Sequence, residues 1–273
     1  MTTVAVLGGG RIGEALLGGL VAAGHDPAAL LVVERDAARA DEVAARLGLE
    51  VFGAAEAARR ADVLVVAVKP QDVAGVLGEV GDALPRPRPV VVSLAAGIPT
   101  AALERWLPAE TPVVRVMPNT PMLVGRAMCV LSPGAHADET ALATAETLLG
   151  AVGRTVRVPE AQQDAATALS GSGPAYLFLV AEAMIEAGAA LGLPRTVATQ
   201  LVSATVDGAG GLLTDDTDGP AHPGLLREAV TSPGGTTAAA LRVLEAHGLR
   251  AAFADAVESC RDASRALGST YGG

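Results

Sequence analysis

Residues 4–13 read Val4-Ala5-Val6-Leu7-Gly8-Gly9-Gly10-Arg11-Ile12-Gly13, and the architecture of the N-terminal half follows from them. Four apolar residues ending on glycine describe a buried strand, and an Ala- and Leu-rich helical pattern comes directly after. The glycines at 8, 10 and 13 form the spacing GxGxxG. The first permits a tight turn, the second lets backbone approach a pyrophosphate, and the third lets the helix pack closely on the strand. By itself this spacing is common. Set between a strand and a helix at the start of a chain, it points to dinucleotide binding by Gly8, Gly10, Arg11, Ile12 and Gly13.

The same alternation continues to about residue 158. Strands are expected at Val4–Leu7, Leu30–Val33, Val63–Val68, Val90–Leu94 and Val113–Met117, each a continuous apolar run covered on both faces by helices. Arg126–Leu131 and Arg154–Val158 read as later strands flanking a helix over Asp138–Leu149. Strand–helix alternation predicts a parallel, doubly wound, Rossmann-like sheet. After Pro159 the strand pattern stops, and residues 160–268 read as helix with breaks at Ser170–Pro174, Gly192–Pro194, Thr214–Pro223 and Thr231–Gly235. The expected division is a nucleotide-binding domain over 1–158 and an all-helical domain over 159–273.

In open α/β sheets ligands gather at the carboxyl ends of the strands. Glu34, at the end of the second strand, suits a ribose 2′-hydroxyl and hence NADH; Arg35 beside it suits a 2′-phosphate and hence NADPH. The two pull in opposite directions, so the reductant is written NADPH or NADH. Ala67-Val68-Lys69-Pro70 ends the next strand, and Lys69 is the sole lysine of the chain. Its compact charge suits cofactor phosphates or ribose. Ala95-Ala96-Gly97 is small enough for a nicotinamide to lie flat, although such residues also serve tight packing. Asn119, the sole asparagine, sits in a loop stiffened by two prolines and either faces the cofactor or closes an Asx turn.

In the helical half, Leu226–Leu241 (LREAVTSPGGTTAAAL) reads as helix, tight loop, helix. Gly234 and Gly235 permit close backbone approach, and Thr236 or Thr237 is expected to cap the second helix, whose free N–H groups suit a carboxylate or phosphate. An ordinary link between helices has the same pattern. Residues 170–176 (SGSGPAY) open a long helix and read as packing, with Tyr176 within reach of a substrate cleft. Thr214–Gly219 (TDDTDG) reads as a solvated loop in preference to a metal site.

Of the 273 residues, 50% are hydrophobic but only 2% aromatic, so the core is built from Ala, Val and Leu. A formal charge of −10 argues against nucleic acid and against an anionic membrane surface. Ala175–Leu193 carries Glu182 and Glu186 and is expected to be a buried helix, not a membrane span. Helix 195–213 is apolar nearly all round, which predicts burial against a second copy, as an interwoven dimer. Cys129 and Cys260 make no disulfide framework, and four scattered histidines give no metal-ligand spacing. A strand starting within three residues of Met1 leaves no room for a signal peptide, so a cytoplasmic protein is expected.

Taken in order, GGGRIG, VAVKPQ, SLAAGI, RVMPNTP, SGSGPAY and VTSPGGTTAAAL resemble the pyrroline-5-carboxylate reductases over essentially the whole chain. The resemblance implies reduction of 1-pyrroline-5-carboxylate to proline by NAD(P)H, the last step of proline synthesis. It implies a helical C-terminal dimerisation domain, often assembled further into a decamer, and an active site where nucleotide and helical domains of the dimer meet. On that basis the substrate carboxylate is expected on Ser232, Gly234, Gly235 and Thr236, with Thr237 donating a hydrogen bond to the ring nitrogen or serving only as a cap. A 3-hydroxyacid dehydrogenase is a rival, but it needs a basic residue early in the second domain, and no lysine follows Lys69. A nucleotide-binding sensor without catalysis is another, with no need for an intact SPGGTT loop.

Overall fold

The computed structural model describes residues 2–215 and 222–272. The elements of the first half run β1 (Val4–Leu7), α1 (Arg11–Ala22), β2 (Leu30–Val33), α2 (Ala37–Leu47), β3 (Glu50–Val51), α3 (Ala54–Arg60) and β4 (Val63–Val66). They continue with α4 (Val73–Gly81), β5 (Val90–Ser93), α5 (Thr100–Arg105), β6 (Val113–Met117), β7 (Ala127–Pro133), α6 (Glu139–Leu149) and β8 (Gly153–Arg157). One eight-stranded sheet results, in the order β3-β2-β1-β4-β5-β6-β7-β8.

Every residue of β1, β2 and β4 is buried. Alternate side chains face opposite layers, so Val4 and Val6 pack with Leu16, Leu17 and Leu20 of α1, while Ala5 and Leu7 pack with Ala57, Ala58 and Leu77. Burying each of these leucines and valines stabilises the sheet by about 1.5–3 kcal/mol. Cys129 belongs to the first layer, and burial pushes its thiol up to about 12. It is a packing residue.

The expected strands are present, with two differences. β3 is too short to leave a periodic signal. The sheet is also not wholly parallel, because β7 runs antiparallel to β6. The chain between them is a short turn through Thr120–Val124, and a parallel return needs a crossover of a dozen residues or more. α6 then supplies such a crossover, and β8 pairs parallel with β7.

Register does the work that matters for ligands. Leu7 pairs with Val33 on one side and Val66 on the other, and Val66 pairs with Ser93. Glycine 8, Glu34, Ala67 and Leu94 therefore leave the sheet side by side, at the point where the strand order reverses.

The helical part comprises α7 (Gln163–Ala166), α8 (Gly173–Ala190), α9 (Arg195–Thr214), α10 (Pro223–Ala229), α11 (Thr236–Ala246) and α12 (Leu249–Gly272). By contacts the chain forms two compact units, Met1–Ser172 with Glu258–Gly273, and Gly173–Val257. The change from alternating elements to helix alone comes after Val158, the boundary drawn above. α7 and the end of α12 are helical yet belong by contact to the first unit.

The expected break at Ser170–Pro174 is a π-turn over Thr167–Gly171, closed by Ser172 N–H donating to Thr167 O at 2.9 Å. The chain there widens and stays helical. The TDDTDG loop lies mostly outside the described residues.

One expectation is corrected. Ala175–Leu193 is not a buried helix within the chain: no residue of α8 is buried, and Leu177, Phe178 and Leu179 are 57%, 69% and 66% exposed. α9 packs on it through small residues such as Gly188, where an added Cβ would lie 3.3 Å from that of Ala198, and Phe253 of α12 meets Tyr176 edge-on at 6.5 Å. Composition reported the apolar character correctly; within the described residues that surface stays uncovered. By length and hydropathy alone Glu160–Ala190 could also cross a membrane, but a 31-residue span that includes a π-turn and three glutamates suits a helix-on-helix partner better. Leu179→Glu removes no buried side chain of the isolated chain. It is expected to leave the melting of the sheet unit unchanged and to reduce the particle mass in light scattering to that of a monomer; an unaltered mass would take α8 out of the interface.

Candidate active site

The glycine turn is held by backbone alone. Gly8 N–H donates to Val33 O at 2.8 Å, and Gly8 adopts φ +110°, where a Cβ would lie 2.8 Å from Ala67 O. A Cβ on Gly13 would lie 2.0 Å from Gly8 O, so helix and turn touch only because both residues lack one. Gly10 is different: nothing lies within 4 Å of its Cβ position, and it caps α1 with no side-chain hydrogen bond. The first N–H groups of α1 thus have no intrahelical acceptor and no capping side chain, which is the arrangement that binds phosphate.

A crevice of about 710 Å³ opens beside this turn. Of the residues expected at the cofactor, Gly8, Gly10, Glu34, Arg35, Ala67, Val68 and Lys69 line it. Arg11 lines an adjoining cavity of about 760 Å³ together with Gly10 and Lys69. Ile12 packs partly into the core, Gly13 underlies the turn, and Pro70 opens the short turn to Asp72.

Glu34 is fixed from three sides. Its Oε2 accepts from Gly9 N–H at 2.8 Å, and its Oε1 accepts from Arg35 N–H at 2.7 Å and Asp36 N–H at 3.0 Å. The Arg35 guanidinium meets Asp72 at 3.1 Å. Sequence reasoning missed three supports. Phe52 lines the crevice beneath the guanidinium of Arg60, 4.6 Å from its ring centre. Asp72 faces Arg35 from the far wall. Arg39 donates from Nε to Gly9 O at 2.8 Å and also pairs with Glu14 and Glu42. The sequence signal for the last was Glu14, a carboxylate in the mostly apolar α1.

The ends of β5 and β6 lie further along the same edge and do not line the crevice. Gly97 adopts φ +76°, and the Leu267 side chain of α12 sits where its Cβ would point, at 2.8 Å. Ala95 is buried, and Ala96 is half-buried. Asn119 is fully engaged: its Nδ2 donates to Ser170 O at 3.1 Å, and its Oδ1 accepts from Met128 N–H at 2.9 Å. Its side chain ties the π-turn to β7. Nearby Arg115, buried in β6, pairs at 2.8 Å with Glu160, which also accepts from Thr100 N–H at 3.2 Å.

The glycine loop of the helical unit is built differently from the expectation in one respect. Gly235, not Thr236 or Thr237, caps α11, and it does so without a side-chain bond. Thr236 and Thr237 are the first two helical residues. Gly235 N–H donates to Ser232 O at 3.0 Å, which closes the turn, and Gly234 takes φ +68°. Ser232, Gly234 and Thr236 are exposed and Thr237 is half-buried. The first-turn N–H groups of α11 therefore have no acceptor within the helix and no capping side chain.

A doubly wound sheet, a glycine turn shaped for a pyrophosphate, and a fixed carboxylate at the end of β2 fit a dinucleotide, and they define an oxidoreductase of the nicotinamide-dependent class. Comparison with known proteins narrows this. A family profile for pyrroline-5-carboxylate reductase dimerisation matches residues 160–267, and one described as NADP oxidoreductase, coenzyme F420-dependent, matches residues 3–97. A pyrroline-5-carboxylate reductase of Corynebacterium melassecola is 47% identical over 98% of this chain and 99% of its own length. One from Mycobacterium tuberculosis is 43% identical over 98% and 97%. Among solved structures, a pyrroline-5-carboxylate reductase of Coxiella burnetii superposes with a TM-score of 0.92 at 36% identity, over 97% of this chain and 98% of its own. That of Plasmodium falciparum, solved with NADP bound, gives 0.82 at 29% identity over 98% of each. The chain belongs to the pyrroline-5-carboxylate reductase family, and its apolar helices form the family's self-associating part.

The engagement of Asn119 leads to a prediction. Asn119→Asp replaces the amide that donates to Ser170 O with an oxygen that repels it. Unfolding free energy is expected to fall on the order of 1–3 kcal/mol by denaturant titration, while a merely surface-exposed asparagine would give no change.

Proposed function

We propose that this chain reduces 1-pyrroline-5-carboxylate to L-proline with NADPH or NADH, completing proline synthesis, and that it works in the cytoplasm as a homodimer or a larger ring of dimers such as a decamer. The observation that carries the reading is the Ser232–Thr237 loop. It is a glycine-shaped turn feeding an uncapped helix N-terminus, in a chain whose other half cradles a dinucleotide. The substrate is a small cyclic imine with one carboxylate, and a loop of this kind grips a carboxylate.

In this reading the N–H groups of Gly234 and Thr236 and the Ser232 hydroxyl hold the acid group. Gly235 acts through shape, since its own N–H is spent within the turn. NAD(P)H, when bound, supplies the hydride that adds to the C=N carbon. Gly8, Gly10 and the α1 N-terminus hold the pyrophosphate, Glu34 and Arg35 attend the adenosine ribose, and Lys69 steadies phosphate or ribose. Ala95–Gly97 and the Asn119 loop border the nicotinamide. Positioning does most of the work. A protonated imine carries its own proton to the product, so the chain needs no strong acid; its ring N–H donates to the hydroxyl oxygen of Thr237, which orients the electrophile.

The test is absorbance at 340 nm, which should fall only when pyrroline carboxylate joins enzyme and reductant. A rise at 340 nm on adding a 3-hydroxyacid with oxidised cofactor instead would favour the dehydrogenase alternative. Thr237→Ala is expected to lower kcat on the order of tenfold while leaving the dinucleotide Kd within about twofold; turnover equal to the parent enzyme would remove Thr237 from the reaction. Gly234→Val forces a β-branched residue to φ +68°, so KM should rise at least about tenfold; an unchanged KM would move the carboxylate elsewhere.

A further inference from the structure

We propose that Glu34 makes this chain an NADH enzyme by discriminating against a 2′-phosphate. The inference rests on the reading of the crevice as the nicotinamide cofactor's site and deepens it. Glu34 lines the crevice at the end of β2, where the adenosine ribose lies in a doubly wound sheet of this order.

Three observations carry the argument. The first is that the carboxylate is anchored. Both oxygens already accept backbone N–H groups, from Gly9 on one side and from Arg35 and Asp36 on the other. Swinging Glu34 aside to admit a phosphate would strand three donors, including the one that braces the glycine turn. The second is that the anchored carboxylate still has a lone pair to spare on Oε2, because it can accept about four hydrogen bonds and three are taken. A ribose 2′-hydroxyl brings an O–H donor that fits it. A 2′-phosphate brings no donor at neutral pH and carries a charge of about −1.5 to −2.

The third is the state of the surrounding cations. Arg35 is drawn to Asp72 at 3.1 Å, and Arg60 lies over Phe52. Arg39 serves Gly9 O, Glu14 and Glu42. The Arg35–Asp72 pair is exposed and easily exchanged, so Arg35 alone does not decide the matter. Glu34 does, because it cannot withdraw at small cost. Like charges about 4 Å apart lower an association constant about fivefold per charge even at the dielectric of water, and more inside a crevice. Against a phosphate of nearly two charges, the penalty amounts to at least about tenfold.

The experiment measures Kd directly, by titrating the full-length enzyme with NADH and with NADPH and following dihydronicotinamide fluorescence, alongside kcat/KM for each. The parent enzyme is expected to bind NADH at least about tenfold more tightly than NADPH. Glu34→Gln keeps an acceptor for Gly9 but removes the charge, and should shrink that ratio to within about threefold, chiefly by tightening NADPH. Asp72→Asn releases Arg35 with Glu34 in place, and should leave NADH preferred. Equal or tighter binding of NADPH by the parent enzyme overturns the proposal, as does an unchanged ratio in Glu34→Gln. Binding of neither dinucleotide would overturn the cofactor reading as well. The expected ratio without reduction of pyrroline carboxylate would support the role of Glu34 and remove the substrate reading.

Discussion

The contact on which the N-terminal unit depends is backbone against backbone. Gly8 lies against the peptide between Ala67 and Val68, and Gly13 lies against the carbonyl of Gly8. No side chain fits in either place. This closeness brings the start of α1 over the carboxyl edge of the sheet, so that its unpaired N–H groups face the point where the strand order turns back. The parallel register of β1, β2 and β4 then sets Glu34 and Ala67 on either side of the turn. Arg39, reaching from α2 to the carbonyl of Gly9, holds the turn from behind. A crevice for a dinucleotide is the geometric result of these few contacts.

Much of this was legible in the sequence, and for identifiable reasons. A run such as Val63–Val66 can be only a strand buried on both faces, and Gly8, Gly10 and Gly13 have a spacing with one well-understood geometry. What escaped was whatever depends on partners distant along the chain. Nothing in Ala127–Pro133 announces that it runs antiparallel; that follows from the shortness of the link before it. Asn119 is polar, unique and loop-borne, which leaves a cofactor role and an Asx turn both open; that its amide meets Ser170 and Met128 depends on chain too distant to read. The cap of α11 was assigned to a threonine by propensity, and the chain uses Gly235, leaving the helix end open. That is a local rule broken where a ligand is proposed to bind, which is where such exceptions concentrate.

The helical unit carries the opposite lesson. Its composition called for burial, and the chain by itself buries only Ala198 and Val202 of α9 and nothing of α8. Half a core is present, and the dimerisation profile over residues 160–267 ties this part of the chain to self-association. Stability of this part is therefore tied to protomer concentration by mass action. The scarcity of aromatic residues fits the same picture, since small side chains such as Gly188 and Ala198 let helices approach closely.

The seat of Leu267 against Gly97 has an evolutionary corollary. Position 97 is hemmed in twice, by a left-handed backbone that suits glycine and by a leucine from the far end of the chain occupying the space a side chain would need. Drift at 267 toward a bulkier or β-branched residue would press on the Ala95–Gly97 loop, while drift at 97 would push α12 away. Across lineages these two sites should change in concert or not at all, leaving a covariation signal between residues 170 positions apart in the sequence.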